Sequence, residues 1–197
     1  MGRDVEFLFE VGNLRYIKRM WSRFHTPEFA NNAEHLFRTL WIALIIASRE
    51  KVEVDTSKVA KMAILHDLAE SRTGDVDILS RQYVQRDEDL ALKDMLADTG
   101  IEEEFLALWE EYEARKSIEA RIVKDADNLD VDFELAEQAA NGSSLQRNKQ
   151  DIRDFVAANK LYTKTAKQIY HDLKTANPHS WWRSSSRNRR NGGDWKK

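Results

Sequence analysis

Residues 62–75 read MAILHDLAESRTGD, and this stretch constrains the fold more than any other. An apolar helical run, Met62-Ala63-Ile64-Leu65, leads straight into His66-Asp67. Glu70 follows one turn later, the helix stops at Thr73-Gly74, and Asp75 comes directly after the stop. Residues three and four apart share a helix face, so His66, Asp67 and Glu70 fan over one arc of an otherwise apolar helix. Burying three titratable groups is costly unless something pairs them. A metal ion meets that need economically, because imidazole and carboxylate together suit divalent transition metals. An isolated His-Asp doublet is ordinarily a hydrogen-bonded surface pair. What argues otherwise is its company: Asn31-Asn32-Ala33-Glu34-His35 opens an earlier apolar helix, and Val123-Lys124-Asp125-Ala126-Asp127 lies inside a later one.

The rest of the chain reads as helix. Val5, Leu8, Val11 and Leu14 recur at helical spacing and predict an amphipathic helix from 4 to about 19, followed by a loop over 22–31 around Pro27. Asn32 is the expected N-cap of a very apolar helix to about Ser48, with Leu36, Phe37, Leu40, Trp41, Leu44 and Ile45 placing it at the centre of the molecule. Asp55 or Ser57 caps the helix that carries the His-Asp doublet to Arg72. A charged helix over 86–97 ends at Gly100, and another covers 101–116. Ser117 caps a helix reaching about Ala140, with Ile118, Ile122, Ala126, Leu129 and Phe133 as its core stripe. Asn141-Gly142-Ser143-Ser144 is a turn, and a last helical stretch covers 148–174. No repeat and no convincing strand emerges, so the expected fold is all-α: a compact bundle of about six or more helices.

Composition closes off other classes. Seven glycines and two prolines are too few for an all-β design, and the absence of cysteine excludes a disulfide framework, a thiolate metal site and a cysteine nucleophile. No apolar run approaches the ~20 residues needed to span a bilayer, and the first residues lack a signal peptide's layout, so the expectation is a cytoplasmic protein without membrane partners. The formal charge is −3; from Trp181 to Lys197 six Lys/Arg stand against one Asp, contributing +5 and leaving −8 on the body. An acidic body argues against general nucleic-acid binding. The basic tail, expected to be disordered, offers at most a weak polyanion contact through Trp and Arg.

A His, then a His-Asp doublet, then a distal Asp, each on its own helix, resembles the HD-domain metal-dependent phosphohydrolases. The string HDLAESRTGD matches the HDxxExxTGD form of the branch that contains the 5′-deoxynucleotidases. The resemblance spans about residues 5–175 and implies an HD-domain bundle over 1–178 with the tail at 179–197. It implies that His35, His66, Asp67 and Asp127 hold one divalent metal ion, with Mn, Co, Fe, Ni or Zn as candidates. Asp127 is preferred to Asp125 because the family places the ligand after the small residue of K-x-A-D; Asp125 is then left to solvent or to supporting the site. Glu70 is expected to orient or deprotonate the attacking water, and Asp75 to protonate the leaving oxygen.

By the same resemblance, substrate contacts fall to Arg19, Trp21, Asp67, Asp75, Val76, Asp77, Ile78 and Asp127. The family's adjacent Arg-Trp pair is Arg19-Met20-Trp21 here, with the Trp at its familiar distance from His35 and the Arg displaced by one. Lys124 is read as solvated, with a substrate phosphate as its other candidate partner. The implied activity is hydrolysis of (deoxy)nucleoside 5′-monophosphates to nucleoside and phosphate, by a homodimer. The alternatives are a deoxynucleoside triphosphate triphosphohydrolase with the same metal site, or a non-catalytic nucleotide-binding protein.

Overall fold

The computed structural model describes residues 2–24 and 29–188, and its regular elements are helical. In chain order the α-helices are α1 (Gly2–Gly12), α2 (Asn32–Ala47), α3 (Thr56–Leu65), α4 (Glu70–Thr73), α5 (Glu88–Leu96), α6 (Glu102–Ala114), α7 (Ile118–Ala140), α8 (Leu145–Asn148), α9 (Gln150–Asn159), α10 (Lys164–Leu173) and α11 (Ser180–Arg183). Among the described residues, extended pairing is limited to an isolated bridge between Lys18 and Asn31. No described helix is long and apolar enough to cross a membrane.

The core is built on α2, α3 and α7, which pack against one another. α7 starts where Ser117 accepts a hydrogen bond from the Ala120 amide and runs to Ala140, burying Ile122, Ala126 and Leu129. Ile118 and Phe133, at the ends of the expected stripe, are only partly buried. Asp55 is the cap of α3, accepting from the Lys58 amide at 3.0 Å.

α2 begins one residue earlier than the sequence reading has it. Asn31 is the cap: its side chain accepts from the Glu34 amide while Glu34 reaches back to the Asn31 amide. A capping box needs a Glu three residues after the cap, which Asn31 has. Asn32 thereby becomes the first helical residue and is fully buried. Nor is α2 buried all round. Its inner face carries His35, Thr39, Ile42 and Ile46, whereas Phe37, Trp41 and Ile45 form an outward stripe, with Phe37 65% exposed.

Four further expected helices are shorter or broken. α1 stops at Gly12, a 3₁₀ turn covers Asn13–Tyr16, and Phe7 and Leu14 rather than Val5 and Leu8 face the core. α3 ends at the His66 cap, and i→i+3 bonds (Leu68 to Leu65, Glu70 to Asp67) carry the chain through tight turns into α4. The tighter winding changes the directions of Asp67 and Glu70 relative to a continuous helix. α5 ends at Leu96, capped by Ala97, with Asp98 in the left-handed region at φ 59°, so Asp98 and not Gly100 makes the break. The expected 148–174 helix divides into α9 and α10 around residues 160–163.

Asp125 explains that last division. It is fully buried, away from solvent, and accepts from the Tyr162 and Thr163 amides and the Thr163 hydroxyl at 2.7–2.8 Å. Burial outweighs these donors and pushes its carboxyl up to about 6. Thr163 then caps α10 through the Ala166 amide. Asp125 is thus a tether between α7 and the C-terminal helices. Asp125→Ala strands buried donors, each worth roughly 1–3 kcal/mol when unmet. The expected outcome is an unfolding free energy, from urea melts, lower by at least that amount with metal content unchanged; an unchanged value would remove the tether's importance.

Candidate metal centre and cleft

Three helices each deliver one part of a single cluster. His35 sits on the inner face of α2, His66 ends α3 with Asp67 in the turn behind it, and Asp127 lies midway along α7. His35 Nε2 is 3.2 Å from His66 Nε2, 3.3 Å from Asp67 Oδ2 and 3.4 Å from Asp127 Oδ1. His66 Nε2 is 3.6 Å from Asp67 Oδ2 and 3.9 Å from Asp127 Oδ1. His35, His66 and Asp127 form a candidate metal site by proximity alone, and Asp67 reaches both imidazoles.

The outer ring atoms settle the tautomers. His66 Nδ1 lies 2.8 Å from the Ala63 carbonyl, which can only accept. His35 Nδ1 lies 2.7 Å from the Asp130 carboxylate. With both Nδ1 atoms donating, the two Nε2 atoms face each other and two carboxylate oxygens, and either imidazole, when neutral, adds a lone pair to that set. Converging acceptors repel unless a cation sits among them. Two nitrogens and two carboxylates, with no sulfur, fit a divalent metal and leave coordination positions open. The same charge imbalance shows in the proton affinities. Burial presses His35 down, but Asp127, Asp130 and Asp67 outweigh it and hold its pKa well above the usual imidazole value. Burial lowers that of His66. Asp67, facing both histidines and Arg19, stays ionised far below the usual range despite its burial.

Beside the cluster is a cleft of ≈ 350 Å³ lined by Arg19, Trp21, Glu70, Asp75, Lys149 and, from the cluster, His66, Asp67 and Asp127, among others. The Lys18–Asn31 bridge holds the strand-like entry to α2, and Arg19 beside it places Nη1 3.0 Å from Asp67 Oδ2 and 3.8 Å from Asp75 Oδ2. Trp21, on a 3₁₀ turn over Met20–Phe24, presents its ring to Lys149 Nζ at 5.2 Å. Asp75 anchors that turn by accepting from the Met20 amide at 2.9 Å.

Glu70 is neither on the surface nor in the cluster. It is 3% exposed, and its oxygens accept from the Asn32 amide group and from Arg86 Nη1. Burial, Asp67 and Asp75 push its carboxyl up to about 8.

The segment after Asp75 also borders the cleft. Ile78 projects into solvent at 79% exposure. Asp77 is buried, and its carboxylate is occupied by the Leu79 and Ser80 amides, the Ser80 hydroxyl and Arg23. Any ligand contact at Asp77 therefore has to share an oxygen with these donors. Lys124 is not free in solvent: its Nζ pairs with Asp127 Oδ2 at 2.7 Å.

Sequence reasoning missed several participants. Asp130 had a readable signal, lying three residues beyond Asp127 and so on the same face. Arg86, Asn32 and Lys149 had none, because only the tertiary fold brings them to the site. The tail expectation falls on 179–197: Ser180–Arg183 forms one helical turn, and residues 189–197 lie outside the described residues.

Residues 11–170 match the family model described as HD domain, and the chain belongs to that family. It is 33% identical over 137 residues, 66% of this chain and 67% of the relative, to the 5′-deoxynucleotidase HDDC2 of Danio rerio. The bovine 5′-deoxynucleotidase HDDC2 is 28% identical over 85% of this chain and 78% of its own length. A conserved hypothetical protein of Pyrococcus furiosus superposes with a TM-score of 0.72 at 27% identity, covering 87% of this chain and 99% of the other.

Asp130 orients His35 and raises its basicity, and an outer partner of that kind is worth about 10–100-fold in metal affinity. Asp130→Asn is expected to weaken metal binding by that factor while the circular dichroism spectrum stays helical. Wild-type affinity in a metal titration would show that His35 needs no such support.

Proposed function

We propose that this chain is a metal-dependent phosphomonoesterase acting on deoxynucleoside 5′-monophosphates. The observation that carries the reading is the convergence of His35, His66, Asp67 and Asp127 in an HD-domain chain, with a buried carboxylate and a cation-lined cleft beside them. The names of the animal relatives support the substrate class. The four converging side chains are the proposed holders of one divalent ion, with Mn, Co, Fe, Ni or Zn suited to the donor set. Such an ion supplies Lewis-acid charge for a phosphoryl oxygen and makes water more acidic.

The chain's own groups account for the proton movements. Glu70 accepts a proton from the attacking water. A carboxyl raised to about 8 is a far better proton acceptor near neutral pH than an ordinary one, once ionised. Asp75 relays the proton that Glu70 takes from the water to the departing 5′-oxygen, so the phosphorus–oxygen ester bond breaks as the new bond to water forms, giving nucleoside and inorganic phosphate with no net change in protons on the protein. Trp21 and Arg19 flank the sugar side, and Val76, Asp77 and Ile78 border it.

The catalytic unit is taken as residues 1–178, working in the cytoplasm. A second copy is the proposed cover for the outward Phe37, Trp41 and Ile45 stripe, since a row of large apolar side chains suits a self-complementary contact. A solution mass of twice 23.0 kDa, reduced by Trp41→Glu, would bear this out; a wild-type monomer would refute it.

A panel of mono- and triphosphates assayed with several metals tests the activity. Release of phosphate from deoxynucleoside monophosphates in preference to ribonucleotides is the expected result. Trp21→Ala should narrow the deoxy/ribo ratio more than it alters metal content, because discrimination is a difference of two affinities and the ring is its steric part. Triphosphate release with monophosphates untouched would replace this reading by the triphosphohydrolase alternative.

A further inference from the structure

Glu70 is gripped by two side chains that belong to neither α4 nor the metal cluster. Asn32 Nδ2, from the first residue of α2, donates to Oε2. Arg86 Nη1, from the segment before α5, donates to Oε1 at 2.8 Å. The same Nη1 donates to the Gly74 carbonyl at 2.9 Å, and Nη2 pairs with Glu88 at 2.6 Å. Gly74 ends α4 at φ 72°, a backbone setting that favours glycine. One guanidinium therefore ties Glu70 to both ends of the segment that borders the cleft.

We propose that Asn32 and Arg86 are positioning residues that lock the Glu70 carboxylate in one orientation toward the attacking water. The inference rests on the reading of Glu70 as the proton acceptor. The carboxyl torsion of a glutamate is broad and nearly two-fold, so a side chain held at one oxygen can still swing. Donors on separate oxygens, carried by separate elements, remove that freedom. Arg86 serves three acceptors in different directions, which a planar guanidinium can do and a lysine ammonium on a flexible stem does poorly.

Asn32 supplies an independent argument. Its side chain is fully buried, and its Oδ1 is a buried acceptor with no partner among the described residues. A buried amide with one acceptor unmet lowers stability, and its neighbours Leu36 and Ala33 belong to or pack against the apolar core. A residue that is locally unfavourable for folding points to a task at the site.

The test uses metal-loaded full-length protein and a deoxynucleoside monophosphate. Asn32→Leu is expected to keep metal content and KM, while kcat falls on the order of 10–100-fold. Arg86→Ala is expected to lose turnover similarly and to regain part of it in added guanidinium chloride at low, non-denaturing concentration, with no such recovery in Glu70→Gln. A merely structural role predicts a lower unfolding temperature for Asn32→Leu with kcat unchanged. Unchanged kcat in the folded Asn32→Leu protein, or in Arg86→Ala should Asn32→Leu not fold, would overturn the positioning role provided Glu70→Gln is inactive. Wild-type turnover by metal-loaded Glu70→Gln would instead remove the underlying reading of Glu70.

Discussion

Four electron-pair donors aimed at one another are the least comfortable feature of this molecule, and much of its architecture can be read as the means of keeping them there. His35, His66, Asp67 and Asp127 come from three helices, and the distances among them, 3.2–3.9 Å, leave no room for independent hydration. Left alone, such a cluster would spread. The packing of α2, α3 and α7 prevents it, because moving any ligand outward would open the interior around Leu65, Ile122 and Leu129, which are fully buried. Interiors at crystal-like density resist such displacements. The hydrophobic core thus keeps together a set of acceptors that a cation balances, whether a divalent metal or a proton on His35.

The surrounding hydrogen bonds follow from the same constraint. A buried imidazole can offer Nε2 to a metal only if Nδ1 has an acceptor, and Asp130 and the Ala63 carbonyl fill that role. Asp130 in turn pairs with Arg38, which also meets Glu137 at 2.7 Å, so the support extends along α7 to the surface. On the other side, Arg19 neutralises part of Asp67 and approaches Asp75, and Asp75 holds the turn carrying Trp21. Metal cluster and substrate cleft are mechanically continuous through these ion pairs.

Much of this was legible in the chain. Caps at Asp55 and Ser117, the extent of α7 and the all-α class follow from local chemistry, and local chemistry is what a sequence displays. The spacing of histidines and aspartates marked the helices that would meet. The failures share a cause. The winding after His66, the break at 160–163 and the burial of Asp125 are decided by partners far along the chain: Asp125 reaches residues 162–163, a separation no periodicity encodes. Asn31 was a different kind of miss, since its capping-box spacing to Glu34 was in plain view. Phe37, Trp41 and Ile45 misled because a helix apolar on every side reads as buried, while apolar side chains on a surface leave the same pattern.

Charge raises a last question: how a body carrying −8 admits a phosphate dianion. The cleft answers it locally, with Arg19, Arg81, Arg86, Lys124, Lys149 and Arg153 among its lining. Several of these are already engaged: Arg153 forks onto Asp132 at 2.7 Å, Lys124 holds Asp127, and Arg86 holds Glu70. Their charges partly cancel those of the carboxylates they serve, so they keep the pocket from being strongly anionic without forming a general polyanion surface. Lys149 differs in facing the Trp21 ring rather than a carboxylate. A cation over an aromatic face has no carboxylate cancelling its charge there, so this corner of the cleft sets a positive charge beside the flat Trp21 ring. Under the proposed function, a small anion with a flat organic body would find both features in one cleft of an otherwise acidic surface.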